Sequence, residues 1–189
     1  RVEVTIIDEN QPRWLAFLNG QHDFLEELPT DFANQAIPNN TLAPNLRRLG
    51  IQMDRYPRAD VSLSYFAMEN PVVGGYTPDK VALRRAIGLA FDNHNYIRRV
   101  LGGQGIPAQS TIAPGTSGYD PAYKSEMSEH DPARAMALLD LFGYVDRNGD
   151  GFREQPDGQP LVLRVATMSD QRSRVENDLW KRSMNRVGL

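Results

Sequence analysis

The chain has 189 residues, with 21 Lys and Arg against 24 Asp and Glu and a formal net charge of −3. This balance, without a basic stripe interleaved with aromatic residues, argues against nucleic acid as a partner. No apolar run approaches the ~18 residues of a membrane span. The absence of cysteine excludes disulfides, thiol nucleophiles and thiolate metal sites.

Alternating apolar and polar residues predict several β-strands. In the first of them Val2, Val4 and Ile6 alternate with polar residues, which is the two-residue period of a half-buried strand. Strands are predicted in this way at residues 1–8, 23–25, 49–55, 61–68 and 161–167.

The longest predicted helix runs from Thr77 to Gly103. Thr77 suits the N-cap and Pro78 the first helical position, while Gly102 and Gly103 end the helix. His94 falls on the apolar side and is interpreted as a structural histidine. Further helices are predicted near residues 10–20, 32–37 and 131–143 and from about residue 173.

Residues 104–123 form a long stretch without periodicity, rich in Pro, Gly, Ser and Thr. Such stretches in compact domains line a functional site or are mobile. Because small residues offer backbone groups at little steric cost, the part from Gly105 to Tyr119 is predicted to lie on the side that faces a ligand-binding cleft. The alternative is a plain surface loop.

The segment DRNGDGFREQPD resembles a calcium-binding loop in the order of its oxygen-bearing residues. Its first, third, fifth and twelfth positions are Asp146, Asn148, Asp150 and Asp157, and these are the candidate metal ligands. Position twelve is Asp instead of the usual bidentate Glu. The alternative interpretation is a surface hairpin in which Asp-Gly pairs form the turns.

No arrangement of catalytic residues is evident in the sequence. The three histidines are scattered, the serines lack a glycine-flanked nucleophile turn, and no glycine-rich phosphate loop precedes a helix. The chain is therefore predicted not to be an enzyme. A hydrolase that uses acidic residues near the glycine-rich loop remains an alternative.

Three segments together resemble one protein family. VALRRAIGLAFDNHNYIRRVLGGQGIPA at 81–108, DPARAMALLDLFGY at 131–144 and NGDGFREQPDGQPLVLRV at 148–165 are similar to motifs of the extracellular solute-binding proteins of family 5. These are the dipeptide- and oligopeptide-binding proteins of ABC importers. LNGQHDF at 18–24 also fits, whereas Ala67 replaces an Asn that is typical of the family.

The resemblance implies an α/β chain that is part of a two-lobed periplasmic-binding-protein fold of the peptide-binding type II, with mixed sheets flanked by helices. The chain then corresponds to a middle fragment of such a protein. Residues 1–64 are expected to be the end portion of the first lobe, and residues 65–189 the first half of the second.

The same resemblance implies a periplasmic or otherwise exported binding protein. Its partners would be a peptide or other small-molecule ligand and an ABC permease in the membrane, with no nucleic acid and no cofactor apart from the calcium considered above. In dipeptide-binding relatives, the strand that matches residues 161–167 is followed by an arginine that pairs with the carboxylate of the ligand. Here Ser169, Gln171 and Arg172 match that segment. The alternatives are an exported hydrolase domain and a calcium-binding structural module.

Overall fold

The computed structural model describes residues 1–189, apart from the side chains of Met127 and Gln171. Within this description the secondary structure is helical. The α-helices are α1 (Asn10–Leu18), α2 (Ala33–Ala36), α3 (Pro44–Arg48), α4 (Pro78–Ala90), α5 (Asn93–Arg99), α6 (Pro132–Leu141) and α7 (Gln171–Asn185). Short 3₁₀ helices lie at Thr30–Phe32, Pro38–Asn40 and Glu126–Ser128.

The chain divides into two compact units, and neither is continuous in sequence. The first unit contains Arg1–Tyr56 and Arg98–Gly105, and the second contains Pro57–Ile97 and Ile106–Leu189. Each unit has its own cluster of buried apolar residues. The assignment of residues 1–64 and 65–189 to two lobes stays a prediction.

The first unit is built around Trp14 on α1. The Trp14 ring stacks on Phe17, with centroids 5.9 Å apart, and on Phe32, with centroids 5.8 Å apart. Ala36 and Leu46 are buried in the same cluster. Stacked aromatic rings gain energy beyond the area they bury, which suits a core made of short helices.

The second unit is built around α4, which packs mainly against α6 and also against α7. Leu83 on α4, Leu139 on α6 and Met184 on α7 are almost completely buried in one cluster. Tyr144 is buried beside them, and its hydroxyl donates to the backbone oxygen of Asp79 over 3.3 Å. Burial raises the pKa of Tyr144 to about 12, so the phenol stays protonated and remains a donor.

The predicted mixed sheets flanked by helices are wrong for this chain. In the described residues, β pairing consists of an isolated antiparallel bridge between Glu154 and Pro160. The predicted strand segments at 1–8, 49–55, 61–68 and 161–167 form no ladder with one another. A two-residue period predicts which side chains share a face, but a strand also needs a neighbour to accept and donate its hydrogen bonds.

The two-residue alternation agrees with burial over residues 161–163 and fails at Val165, which is 53% exposed. Leu161 and Leu163 pack against the core of the second unit, while Val162 between them is 50% exposed. In the N-terminal segment no such core is met, and Val2 and Ile6 remain more than four-fifths exposed. Leu49, Leu63 and Tyr65 in two other predicted strands are also exposed. The error therefore concerns the pairing of the segments and, in several of them, their burial.

The helix predicted from Thr77 to Gly103 is two helices. α4 ends at Ala90, Phe91 adopts an extended conformation, and the Asp92 carboxylate accepts from the Asn95 backbone N–H over 2.9 Å. Asp92 thus serves as an N-cap for α5 and favours a new helix start over continuation. As a result His94 is exposed, so its interpretation as a buried structural residue is wrong.

Glycine substitutions test the turn that precedes α4. A Cβ at Gly74 would overlap the backbone oxygens of Met68 and Asn70, whereas one at Gly88 in α4 would meet nothing within 4 Å. Gly74→Ala is therefore expected to destabilise the intact protein by about 1–3 kcal/mol. Gly88→Ala should stabilise it by about 0.5–1 kcal/mol through helix propensity. Urea denaturation measures both, and a neutral Gly74→Ala would contradict the turn geometry.

Candidate functional site

The loop predicted to hold calcium is a network of local hydrogen bonds. The Asp146 carboxylate accepts from the backbone N–H of Gly149 over 2.7 Å and of Gly151 over 2.9 Å. These two bonds lower the pKa of Asp146. Asp150 accepts in turn from the backbone N–H of Phe152 over 2.8 Å. The carboxylates therefore hold the turn of the loop.

The donor set of this loop fits a calcium ion poorly in the arrangement observed. The amide nitrogen of Asn148 donates to Asp150 over 3.1 Å and to Glu154 over 2.9 Å, so a hydrogen-bond donor lies between two carboxylates. Asp157 accepts instead from Gln159 in the following turn. Among the described residues, no group of three or more His, Cys, Asp or Glu is arranged to hold a metal. The calcium site stays a prediction.

The segment predicted to contact ligand lies at the start of α7. Asp170 is the N-cap, and its carboxylate accepts from both the backbone N–H and the hydroxyl of Ser173 over 2.9 Å. The backbone bond lowers the pKa of Asp170 most. Ser169 and Arg172 flank this cap and are exposed, while the side chain of Gln171 lies outside the described residues.

This arrangement has the chemistry to bind a carboxylate. Arg172 offers a planar, permanently charged fork in the first turn of a helix, where the macrodipole also favours an anion. Asp170 opposes binding because it already occupies the cap position with a negative charge. The roles of Ser169, Gln171 and Arg172 in ligand binding stay a prediction.

Arg153 organises a second polar centre that the sequence did not reveal. Its side chain is 12% exposed, and its Nε donates to the backbone oxygen of Val187 over 2.7 Å. Its Nη1 contacts the Asp140 carboxylate and the backbone oxygen of Tyr144. One guanidinium thus joins α6, the segment after α6 and the C-terminal end of α7. It also lines an open groove of about 370 Å³.

A third polar cluster joins three elements at the surface of the second unit. Glu126 pairs with Arg85 on α4 and with Arg134 on α6, and Arg134 also pairs with Glu129. The hydrogen bonds from Arg85 contribute most to the lowered pKa of Glu126. Because the partners are 41 and 8 residues from Glu126 in sequence, no local pattern would have indicated this cluster.

The family comparison decides what kind of protein this is. The family described as bacterial extracellular solute-binding proteins, family 5 Middle, matches residues 1–189. The chain belongs to the family 5 solute-binding proteins. The resemblance inferred from the three sequence motifs is therefore confirmed. Among curated proteins, none matches this sequence.

Solved structures of similar fold include oligopeptide-binding proteins. NikA from Brucella suis, solved in complex with Fe(III)-EDTA, has a TM-score of 0.70 at 22% identity, over 98% of this chain and 35% of that chain. AppA from Bacillus subtilis, an oligopeptide-binding protein in complex with a nonapeptide, has a TM-score of 0.67 at 19% identity. The match covers 97% of this chain and 34% of that chain. At these identities the likeness shows a shared fold.

A third match has higher identity over less of the chain. It is the mannohexaose-bound periplasmic oligopeptide-binding protein of an oligopeptide ABC transporter from Thermotoga maritima, with a TM-score of 0.51 at 26% identity, over 62% of this chain and 23% of that chain. This chain thus spans about a third or less of each solved structure. In the described part of the chain, no helix has the length and apolarity needed to cross a membrane.

Proposed function

We propose that this family 5 chain contributes to the substrate-binding component of an ABC importer. The component captures peptides or similar small solutes between two hinged lobes, on the outer side of a membrane, and delivers them to a permease. Binding and release break no covalent bond of the solute, so this role is not enzymatic. The family match over residues 1–189 carries this proposal.

Peptides are the solute class that the relatives favour most. One solved neighbour is in complex with a nonapeptide, and the Thermotoga maritima protein is a periplasmic oligopeptide-binding protein although it is bound to mannohexaose. The Fe(III)-EDTA bound to NikA carries carboxylates, as the C-terminus of a peptide does. An ion pair between an arginine guanidinium and the ligand carboxylate is therefore the contact to test first.

Arg172 is the residue that we assign to this contact. It lies exposed in the first turn of α7, three residues after Ser169. Guanidinium pairs with carboxylate through two parallel N–H···O bonds, which an ammonium group cannot reproduce. The neighbouring Ser169 and Gln171 would supply polar contacts around the same group.

Replacing Arg172 with alanine should weaken peptide binding by about 2–5 kcal/mol. The ligand carboxylate would still lose water on binding but would no longer gain a charged partner. Arg172→Lys should restore only part of the affinity. Isothermal titration calorimetry of the intact protein measures the effect, with one peptide supplied as the free acid and as the C-terminal amide.

Arg174→Ala is the matched control, since Arg174 is an exposed arginine two residues away on the same helix. The wild type should prefer the free acid, and Arg172→Ala should lose that preference while Arg174→Ala keeps it. Unchanged affinity in Arg172→Ala would contradict the assignment of Arg172 to the ligand carboxylate.

The proposed function is tested separately from the assignment of Arg172. Native mass spectrometry of the intact protein, purified without denaturation, should reveal a co-purifying small solute, and its release on unfolding allows it to be identified. A panel of peptides and glycosides should then bind without turnover. Hydrolysis of any member of the panel would contradict the proposal and favour the hydrolase alternative.

A further inference from the structure

The long aperiodic segment after α5 is built from local turns. Hydrogen bonds described within residues 110–124 each span two or three residues, such as Thr116 to Ala113 and Tyr119 to Thr116. Ala113 is buried, but most side chains in this range are exposed. Local turns of this kind keep the shape of a surface segment.

The two ends of this segment are closed by contacts that involve side chains. The Ser128 hydroxyl donates to the backbone oxygen of Ala108, and the Ser125 backbone N–H donates to the Gln109 side chain over 2.8 Å. Residues 108–128 therefore form a loop whose ends meet, and side chains help to close it. We name these residues the 108–128 loop.

One carboxylate connects the closing end of the loop to two helices. Glu126 accepts two parallel bonds from Arg85 on α4, at 3.0 and 2.9 Å, and also pairs with Arg134 on α6. These charged side chains are 31–48% exposed. The lowered pKa of Glu126 keeps the carboxylate ionised at neutral pH, so both pairs persist there.

We propose that the 108–128 loop opens and closes as one unit, and that Glu126 is the latch that holds it against α4 and α6. The loop is released when Glu126 separates from its two arginines, since the contacts of Ser128 with Ala108 and of Ser125 with Gln109 join the two ends of the loop to each other. Partly exposed ion pairs are individually weak and are screened by salt, which suits a contact that must break and reform. Opening leaves α4 and α6 packed through their buried leucines.

Hydrogen exchange of the intact protein, followed by mass spectrometry, tests this proposal. Exchange in residues 110–124 should become roughly tenfold faster in Glu126→Gln, since a bidentate pair and a second pair are lost together. Glu129→Gln is the matched control. Glu129 pairs with Arg134, as Glu126 does, but among the described residues it forms no ion pair with α4. Removing the Glu129 charge should therefore leave exchange in 110–124 near the wild-type rate.

A second measurement separates a latch from a general loss of stability. At about 1 M salt the Debye length falls to about 3 Å, so exchange in 110–124 should accelerate in the wild type and respond little in Glu126→Gln. Peptides from α4 and α6 should keep their wild-type protection throughout. Unchanged exchange in 110–124, or equal acceleration in α4 and α6, would overturn the proposal.

Discussion

Replacing Leu139 with alanine is expected to lower the free energy of unfolding by about 2–5 kcal/mol, as for other fully buried leucines. Leu139 on α6 has no exposed surface and packs in one cluster with Leu83 and Ile87 of α4. Truncation loses the transfer energy of the removed methyl groups and leaves a cavity between the two helices, which have the most extensive contact in the fold. Urea denaturation of the intact protein measures the loss.

Leu141→Ala provides the control on the same helix. The chemical change is identical, but Leu141 is 77% exposed, so the expected effect is within about 0.5 kcal/mol. If the two variants unfolded at the same urea concentration, the buried face of α6 would be wrongly assigned.

Replacing Arg153 with alanine is expected to cost about 3 kcal/mol of stability. The backbone oxygens of Tyr144 and Val187 would lose a donor at partly buried positions, and Asp140 would lose its counter-ion. Leaving buried polar groups without partners costs more than the net gain of forming the bonds. Thermal and urea denaturation report this loss.

Arg147→Ala is the matched control for Arg153. Arg147 also donates to several backbone oxygens, but these bonds are exposed and water can replace them, so the expected loss is below about 1 kcal/mol. Arg153→Lys should recover less than half of the stability lost in Arg153→Ala. A single ammonium group cannot reach several acceptors at once as the planar guanidinium group does. Equal losses for Arg147→Ala and Arg153→Ala would refute the role assigned to Arg153.

The helix starts were the part of the fold that the sequence predicted best, whereas the predicted end of the longest helix at Gly103 was wrong because α4 ends at Ala90. Pro78 and Pro132 stand at the starts of α4 and α6 as expected, and Asp131 accepts the predicted cap bond from Arg134 over 2.9 Å. Caps are local, since the donor and the acceptor are three residues apart. The final helix was predicted from about residue 173, close to its observed start at Gln171.

Long-range features could not be predicted in the same way. Residues 161–163 alternate between core and solvent, but no local pattern shows whether a partner strand is present. α3 was missed because residues 44–48 are too few to show a helical period. Arg153 was missed because its acceptor at Val187 is 34 residues away in sequence.

The candidate ligand residues came from the family resemblance. Neither composition nor spacing would have distinguished Arg172 from the other arginines on α7. The calcium site stays a prediction, which came from the order of oxygen-bearing residues alone. In the structure the amide nitrogen of Asn148 donates to both Asp150 and Glu154. A spacing pattern specifies which groups are near each other and leaves open which of their atoms point inward.

The discontinuous first unit affects the order in which the chain can fold during synthesis. Gly102 lies so close to α2 that a Cβ there would be 2.7 Å from the Cβ of Ala33, and Val100 beside it is buried. The ribosome delivers these residues only after it has made residues 57–97, which include α4. Domains usually complete themselves from the N-terminus as they emerge. The cluster around Trp14 lies within residues 14–51 and can form early, whereas the contact of Gly102 with α2 must wait for the nascent chain to return. Closing that long intervening segment carries an entropic cost.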